Sequence, residues 1–192
     1  MSRDAPLVLG VDFTSAPSRR KPITVAVGRL VEGRRAARYV VEAIRGLESL
    51  DAFAALLRAD GPWIGGFDLP FSQPRSLIER EGWPTAWPAF VDFYCRRPRE
   101  QLRRTFKRWC DARPAGDKVA HRACDATAGS RASMKWVNPP VARMLHAGAA
   151  RLLDAGLTLP GLHERGTDPA RVGLEGYPGL PARAVLGRAS YK

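Results

Sequence analysis

The sequence predicts an α/β domain built around a mixed β-sheet of five strands. Three apolar segments joined by short connections come first, a helical segment then leads into a fourth apolar segment, and a fifth strand pattern lies near the end of the 192 residues. Short connections favour an antiparallel meander. A helix between two strands favours a crossover that returns the chain parallel to its first strand. Together these patterns predict three antiparallel strands followed by crossover units.

The first three strands are predicted from their apolar and β-branched residues. Leu7 to Asp12 is a continuous apolar run that ends in a carboxylate and is too short for a helix, so it predicts a buried strand. Ile23 to Leu30 is rich in β-branched residues. Ala37 to Ile44 continues the pattern after a turn at Glu32-Gly33.

A helix and a fourth strand follow. Apolar residues recur at helical spacing from Leu50 to Ala59, and Asp60-Gly61-Pro62 ends the pattern. Trp63 to Asp68 is again an apolar run that ends in an acid. Because this strand is expected to run parallel to the first, we expect the two terminal aspartates to lie at the same end of the sheet.

The middle of the chain predicts a largely helical insert, at about residues 74–165 of a single domain that spans 1–192. Strand patterns are absent from Pro74 to Pro160, where four helices are predicted: Ser76 to Glu81, Pro88 to Tyr94, Arg99 to Cys110 and Val141 to Ala155. The fifth strand, Arg171 to Tyr177, carries Glu175 near its end, and Leu180 to Leu186 begins a last helix.

The composition favours a polyanionic partner. A formal net charge of +12 is typical of proteins that bind nucleic acid, although arginines scattered over a solvated surface would give the same charge. Three cysteines without a CxxC pair and an N-terminus without an apolar leader predict reduced thiols and a cytoplasmic location. No apolar run approaches the roughly 20 residues needed to span a bilayer, so no membrane partner is predicted.

Three acids lie near the ends of predicted strands. Asp12, Asp68 and Glu175 would converge if these strands are neighbours in the sheet. Carboxylates are the ligands that Mg²⁺ and Mn²⁺ prefer, and such ions clamp the attacking and leaving oxygens of a phosphodiester. The alternative is that these acids are ordinary turn and cap residues.

Five segments of the chain resemble a known family. They are Gly10-Val11-Asp12-Phe13-Thr14-Ser15, Arg19-Arg20-Lys21-Pro22-Ile23, Gly66-Phe67-Asp68-Leu69-Pro70-Phe71, Lys135-Trp136-Val137-Asn138-Pro139-Pro140 and Glu175-Gly176-Tyr177-Pro178-Gly179-Leu180. In this order they resemble the domain-of-unknown-function 429 family, a group of predicted nucleases with a ribonuclease H-like fold.

The resemblance implies both a fold and an activity. The fold would be a ribonuclease H-like mixed sheet, and the activity would be phosphodiester cleavage that depends on Mg²⁺ or Mn²⁺. Asp12 and Asp68 would be metal ligands, and Glu175 would be a third catalytic and metal-binding acid. Similar family members continue past Lys192 into an Asp-bearing helix, so the resemblance also implies that this C-terminal helix is missing here.

Candidate substrate-binding side chains lie in two places. Five follow the first strand, where cations and hydroxyls could hold a phosphate, and four lie on an expected long loop that could cover the sheet end. These residues are Thr14, Ser15, Arg19, Arg20 and Lys21, and Asp125, Arg131, Lys135 and Asn138. A hairpin tip with solvated charges is the alternative for the first group.

A basic helix is a further candidate for contact with phosphates. Arg96, Arg99, Arg103 and Lys107 fall on one stripe of the helix, whereas Leu102, Phe106 and Trp109 fall on another that should face a core. The basic stripe could follow a phosphate backbone. An amphipathic helix with a solvated cationic face explains the same pattern.

Two alternative functions remain. The first is an ATP-dependent phosphotransferase of the actin and sugar-kinase type, although Phe13 stands where a phosphate loop would need glycine and the chain is too short for two such domains. The second is a catalytically inactive module that binds nucleic acid. Dinucleotide-binding and P-loop motifs are absent from the sequence.

Overall fold

The computed structural model describes residues 6–33 and 36–187. They form two compact units. Unit 1 consists of the described residues of Met1–Asp68 and Ala150–Gly176, and unit 2 of those of Leu69–Ala149 and Tyr177–Lys192. The C-terminal residues Ser190, Tyr191 and Lys192 lie outside the described residues. The expectation that a further helix is missing depends on them.

The described residues contain six strands and seven helices. The strands are β1 (Leu7–Asp12), β2 (Ile23–Val31), β3 (Arg38–Leu47), β4 (Trp63–Phe67), β5 (Leu157–Thr158) and β6 (Asp168–Glu175). The helices are α1 (Leu50–Leu57), α2 (Arg75–Arg80), α3 (Trp87–Arg96), α4 (Arg99–Asp111), α5 (Ala123–Ala128), α6 (Val141–Asp154) and α7 (Gly179–Leu186).

All six strands belong to one mixed sheet in unit 1, in the order β3-β2-β1-β4-β6-β5. β1, β2 and β3 pair antiparallel, which confirms the predicted meander. β4 pairs parallel to β1, and β6 pairs parallel to β4. The predicted crossover after the first helix is therefore confirmed.

The expectation of five strands is wrong, because β5 adds a sixth at the edge beside β6. β5 lies inside the segment that was expected to lack strands, Pro74 to Pro160. It contains two residues, and two residues are too few to show a period of two in the sequence.

The core of unit 1 lies between one face of the sheet and α1. Val11, Val25 and Phe67 point from the sheet into this core and are buried. The ring of Phe53 on α1 lies 5.0 Å from that of Phe13 and 6.1 Å from that of Phe67. The buried strand residues alternate with exposed ones along β1 and β2, as expected for strands with one covered face.

The ends of α1 are fixed by side chains of unit 1. The hydroxyl of Ser49 accepts a 3.0 Å hydrogen bond from the N–H of Ala52, which caps the N-terminus. At the other end the guanidinium of Arg171 donates to the carbonyl of Leu57 at 3.1 Å and pairs with Asp168 at 2.7 Å. Arg171 thereby joins the helix to β6.

The described part of unit 2 is helical, as predicted for the middle of the chain. Its core contains an aromatic cluster around Trp83, whose ring lies within 6.4 Å of those of Phe90, Phe93, Tyr94 and Phe106. None of the helices within residues 6–33 and 36–187 is long and apolar enough to cross a bilayer.

The predicted amphipathic pattern of α4 is confirmed on its apolar side. Leu102, Phe106 and Trp109 are all buried. This helix therefore presents its cationic residues away from the core of unit 2.

Candidate active site

The first two acids are brought together by the pairing of β1 with β4. Val11 lies opposite Phe67 in the parallel register, and the carbonyl of Val11 accepts a 2.8 Å hydrogen bond from the N–H of Asp68. One residue further along, Asp12 and Asp68 occupy neighbouring positions on strands that lie about 4.8 Å apart. The two carboxylates therefore start from adjacent backbone positions on neighbouring strands.

Both acids leave the sheet on the face opposite the core. Val11, Phe13 and Phe67 are buried on the α1 side, whereas Asp12 is exposed and Asp68 is half-buried. Because side chains alternate along a strand, the acids that follow Val11 and Phe67 are directed to the other face.

Two glycines, Gly10 and Gly66, lie on the same face, each two residues before one of the aspartates. Among the described residues, a Cβ at Gly66 would have only the carbonyl oxygen of Leu9 nearby, at 3.9 Å, and a Cβ at Gly10 only the Cβ of Ala26, at 3.9 Å. Glycine within a strand is typical of places where a ligand approaches the backbone closely. The sheet beside Asp12 and Asp68 is therefore a smooth surface.

Glu175 lies at the same end of the sheet, but it pairs with the residue before Asp68 and not with Asp68 itself. It is opposite Phe67 in the register, and the N–H of Gly176 donates to the carbonyl of Phe67 at 2.9 Å. A Cβ at Gly173, two residues earlier, would lie 3.4 Å from the ring of Phe67. The strand therefore directs Glu175 toward the face of Phe67, and its exposed side chain leaves β6 on the other side of the sheet from Asp12 and Asp68.

The cationic segment after β1 forms a tight turn. Ser18 and Lys21 exchange backbone hydrogen bonds of 3.1 and 3.0 Å, and the Ser18 hydroxyl accepts a further bond from the N–H of Lys21. Arg19 and Arg20 form the tip, and all three cations are exposed. We call Arg19, Arg20 and Lys21 the cationic turn. It belongs to unit 1, as Asp12 does.

Thr14 and Ser15 connect the acid to this turn. Both are half-buried, and they follow Phe13, which packs against Phe53. The anchored ring of Phe13 fixes the direction in which the chain leaves Asp12. Two hydroxyl groups therefore follow the acid at a defined position.

Asp125, Arg131, Lys135 and Asn138 belong to unit 2. The expected long loop around Asp125 is wrong, because Ala123–Ala128 forms α5. Arg131 and Asn138 are exposed and Lys135 is half-buried. The helix begins where the backbone N–H of Arg122 donates to the carboxylate of Asp125 at 3.0 Å, and its six residues are too few to repeat an apolar period.

Asp125 has a structural environment of its own. One oxygen accepts hydrogen bonds from Arg122 Nη2 at 2.7 Å and from the Ser130 hydroxyl at 3.0 Å, and the other accepts from the backbone N–H and Nε of Arg122. Burial opposes the charged form, but these hydrogen bonds outweigh it and lower the pKa of Asp125. The importance of Arg122 was missed from the sequence, although Arg-x-x-Asp before an alanine-rich segment indicates it.

The basic stripe of α4 carries more acids than the sequence pattern suggested. Arg103 pairs with Glu100 at 3.5 Å and Lys107 with Asp111 at 2.6 Å. The expectation that Arg96 lies on the same stripe is wrong, because Arg96 is the last residue of α3, where it pairs with Asp92 at 2.6 Å. All of these side chains are exposed, so each pair contributes little to stability.

The donor set at the end of β1 and β4 fits a hard divalent cation. Mg²⁺ is usually bound in proteins by one or two carboxylates together with water and substrate phosphate. Asp12 and Asp68 supply two carboxylates from adjacent strands. The smooth glycine surface beside them has room for the other ligands.

No protein family, no curated protein and no solved structure matches this chain.

Proposed function

We propose that this protein is a metal-dependent nuclease or phosphodiesterase that hydrolyses phosphodiester bonds of nucleic acid. The observation that carries the proposal is the placement of Asp12 and Asp68 at adjacent ends of two parallel strands. The strand order, with three antiparallel strands followed by parallel ones, supports a ribonuclease H-like sheet. We also predict a cytoplasmic location, because the three cysteines form no CxxC pair and are expected to be reduced.

Asp12 and Asp68 would hold a Mg²⁺ or Mn²⁺ ion through their carboxylates. Such an ion supplies a bound water of lowered pKa and positive charge opposite the phosphate oxygens. The two aspartates would hold the positive charge of the ion at the C-terminal ends of β1 and β4. Gly10 and Gly66 leave space for a phosphate to approach the same strand ends.

The cationic turn would bind phosphates next to the one that is cleaved. Arginine suits this role because its guanidinium forms paired hydrogen bonds with phosphate oxygens. Thr14 and Ser15 could donate hydroxyl hydrogen bonds to the same group. Glu175 remains a proposed third acid, which would have to reach around the end of β4 to contact the same ion.

The test is a cleavage assay on end-labelled single-stranded DNA and RNA with Mg²⁺ or Mn²⁺. We expect Asp12→Asn and Asp68→Asn to reduce the rate about a thousandfold or more, because an ion of this kind supplies several kcal/mol to the transition state. Asp60→Asn is the matched control, since Asp60 is an exposed acid of unit 1 in the connection between α1 and β4. Metal-dependent cleavage that survives Asp12→Asn would refute the proposal.

A second candidate is an inactive nucleic-acid-binding module, which the net charge of +12 favours. Salt-sensitive binding with no cleavage under any metal would support it. Stabilisation by ATP would instead support the phosphotransferase alternative.

A further inference from the structure

Unit 2 contains a cationic groove on a face of α4 that the basic stripe does not occupy. Arg97, Gln101, Arg104, Thr105 and Arg108 line a cavity of about 370 Å³ together with Glu81 and Trp83. We call this cavity the arginine groove. Gln101, Arg104 and Arg108 are spaced so that they share one side of the helix, and Arg97 continues the row from just before the helix.

The first arginine of the row is held in place. The guanidinium of Arg97 lies 4.0 Å from the ring centre of Phe93, and its Nη1 donates to Gln101 at 3.4 Å. His146 contacts the carbonyl of Arg97 at 3.0 Å. The Nε of Arg97 is buried with no hydrogen-bond partner among the described residues. A fixed guanidinium loses little conformational entropy when an anion binds.

Arg104 and Arg108 have donors to spare. Among the described residues, Arg104 uses Nε toward Glu100, and Arg108 uses Nη2 toward Glu81 and Thr105. A guanidinium has five N–H donors. Most of these donors are therefore available to a ligand.

The charge balance of the groove favours an anion. Three arginines line the groove, and one of them, Arg104, pairs with Glu100 at 3.4 Å outside the lining. The one acid in the lining is Glu81, whose carboxylate lies 3.0 Å from Arg108. An incoming phosphate would replace this carboxylate as the partner of Arg108. Glu81 is therefore a competitor for the ligand.

We propose that the arginine groove binds the phosphate backbone of single-stranded nucleic acid. Proteins that bind single strands without sequence preference use a positively charged groove that follows the backbone. From Gln101 to Arg108 the row extends about 10 Å along α4, and Arg97 lengthens it beyond the helix, so it can contact successive phosphates. The proposal goes beyond the strand-end acids, because it needs neither a metal nor cleavage.

The test measures binding of a fluorescent oligothymidylate by anisotropy in EDTA, which separates it from the cleavage assay. We expect Arg104→Gln with Arg108→Gln to weaken binding on the order of tenfold. The slope of log affinity against log salt should fall by about 0.7 for each lost contact. The matched control is Arg99→Gln with Arg103→Gln, which removes the same charge from another side of α4 and should change both quantities less.

Glu81→Gln supplies a test of opposite sign. Removing the competing carboxylate should tighten binding several-fold, whereas a purely structural role for the Arg108–Glu81 pair would weaken it. If the double variant does not fold, as judged by circular dichroism, this variant decides the question.

Equal losses in both double variants, or no gain from Glu81→Gln, would overturn the proposal. Excess inorganic phosphate should compete only weakly if the groove contacts several phosphates, and full competition at low millimolar phosphate would indicate a small-anion site instead. Binding to anionic phospholipid vesicles with no binding to the oligonucleotide would also overturn it.

Discussion

The backbone N–H of Asp68 donates a 2.8 Å hydrogen bond to the carbonyl of Val11. This bond extends the parallel ladder beyond β4 and aligns Asp68 with Asp12. The positions of the two acids are therefore set by the same hydrogen bonds that hold the centre of the sheet together. Changes at the two acids can affect metal binding without altering the sheet.

Metal binding should stabilise the protein through Asp12 and Asp68. Mg²⁺ or Mn²⁺ at about 100 times its dissociation constant should add about 2.7 kcal/mol to the free energy of unfolding, because it binds only the folded state. Asp12→Asn and Asp68→Asn should each abolish most of this gain. Thermal melting with and without metal measures it, and Asp60→Asn should behave as the wild type. A metal-induced gain that is the same in all four proteins would contradict the assignment.

Adjacent glycines of β4 should respond differently to alanine. A Cβ at Gly65 would lie 2.8 Å from the ring of Phe67, whereas the nearest atom of residues 6–33 and 36–187 to a Cβ at Gly66 would be 3.9 Å away. We expect Gly65→Ala to cost about 1–3 kcal/mol through overpacking and Gly66→Ala to be within about 0.5 kcal/mol of neutral. Urea denaturation measures both changes. Similar losses at the two positions would mean that the faces of β4 are assigned wrongly.

Asp125 should make stability depend on acid pH. Its pKa in the folded protein lies below the ordinary 3.8, so its contribution is complete above that value and is lost as the pH falls through the folded-state pKa. Asp125→Asn should cost about 3 kcal/mol at pH 7, because it leaves Arg122 without its buried partner. The deficit should shrink as the pH falls below 3.8 toward the folded-state pKa.

Urea titrations at several pH values measure this deficit. The control is Asp117→Asn, which removes an acid whose side chain is 63% exposed from its pair with Arg113, and it should cost less than about 1 kcal/mol. A deficit at Asp125 that does not vary with pH would argue against the ion pair as its cause.

Tyr94→Phe should destabilise unit 2. The Tyr94 hydroxyl donates to the carbonyl of Ala142 at 3.1 Å and accepts from Gln73 at 3.1 Å. Burial raises the pKa of Tyr94, although the hydrogen bond from Gln73 opposes this shift. Removing the hydroxyl leaves buried partners unsatisfied and should cost about 1–3 kcal/mol.

Chemical denaturation measures this loss against that of Tyr39→Phe. Tyr39 is 40% exposed, so water can replace its hydrogen bonds to the carbonyls of Val8 and Ala26. Equal losses in the two variants would show that burial of the Tyr94 hydroxyl is not the cause.

Elements with strong periodicity could be predicted from the sequence. The predicted bounds of β1 agree with the structure, and the long helices α4 and α6 were placed within one residue at each end. Continuous apolar runs and a sustained helical period are the clearest patterns that a sequence carries. β5 and α5 were missed because they are too short to repeat any period.

The faces of the site residues could not be predicted. The strand ends place Asp12, Asp68 and Glu175 at one end of the sheet. The face of the sheet on which each side chain lies depends on the register between strands. A shift of one residue reverses every side chain, and the sequence does not show the register of parallel strands separated by a long insert. The difference between Glu175 and the two aspartates therefore became visible only with the pairing of Phe67 with Glu175.

The interleaved order of the two units has a consequence for biosynthesis. β6 is the neighbour of β4 in the finished sheet, yet the ribosome makes it only after the residues of Leu69–Ala149. Until β6 has been synthesised, the edge of β4 that pairs with it remains without a partner strand. Unpaired strand edges attract strands of other chains, so nascent chains on the same messenger are most vulnerable to mispairing in this interval.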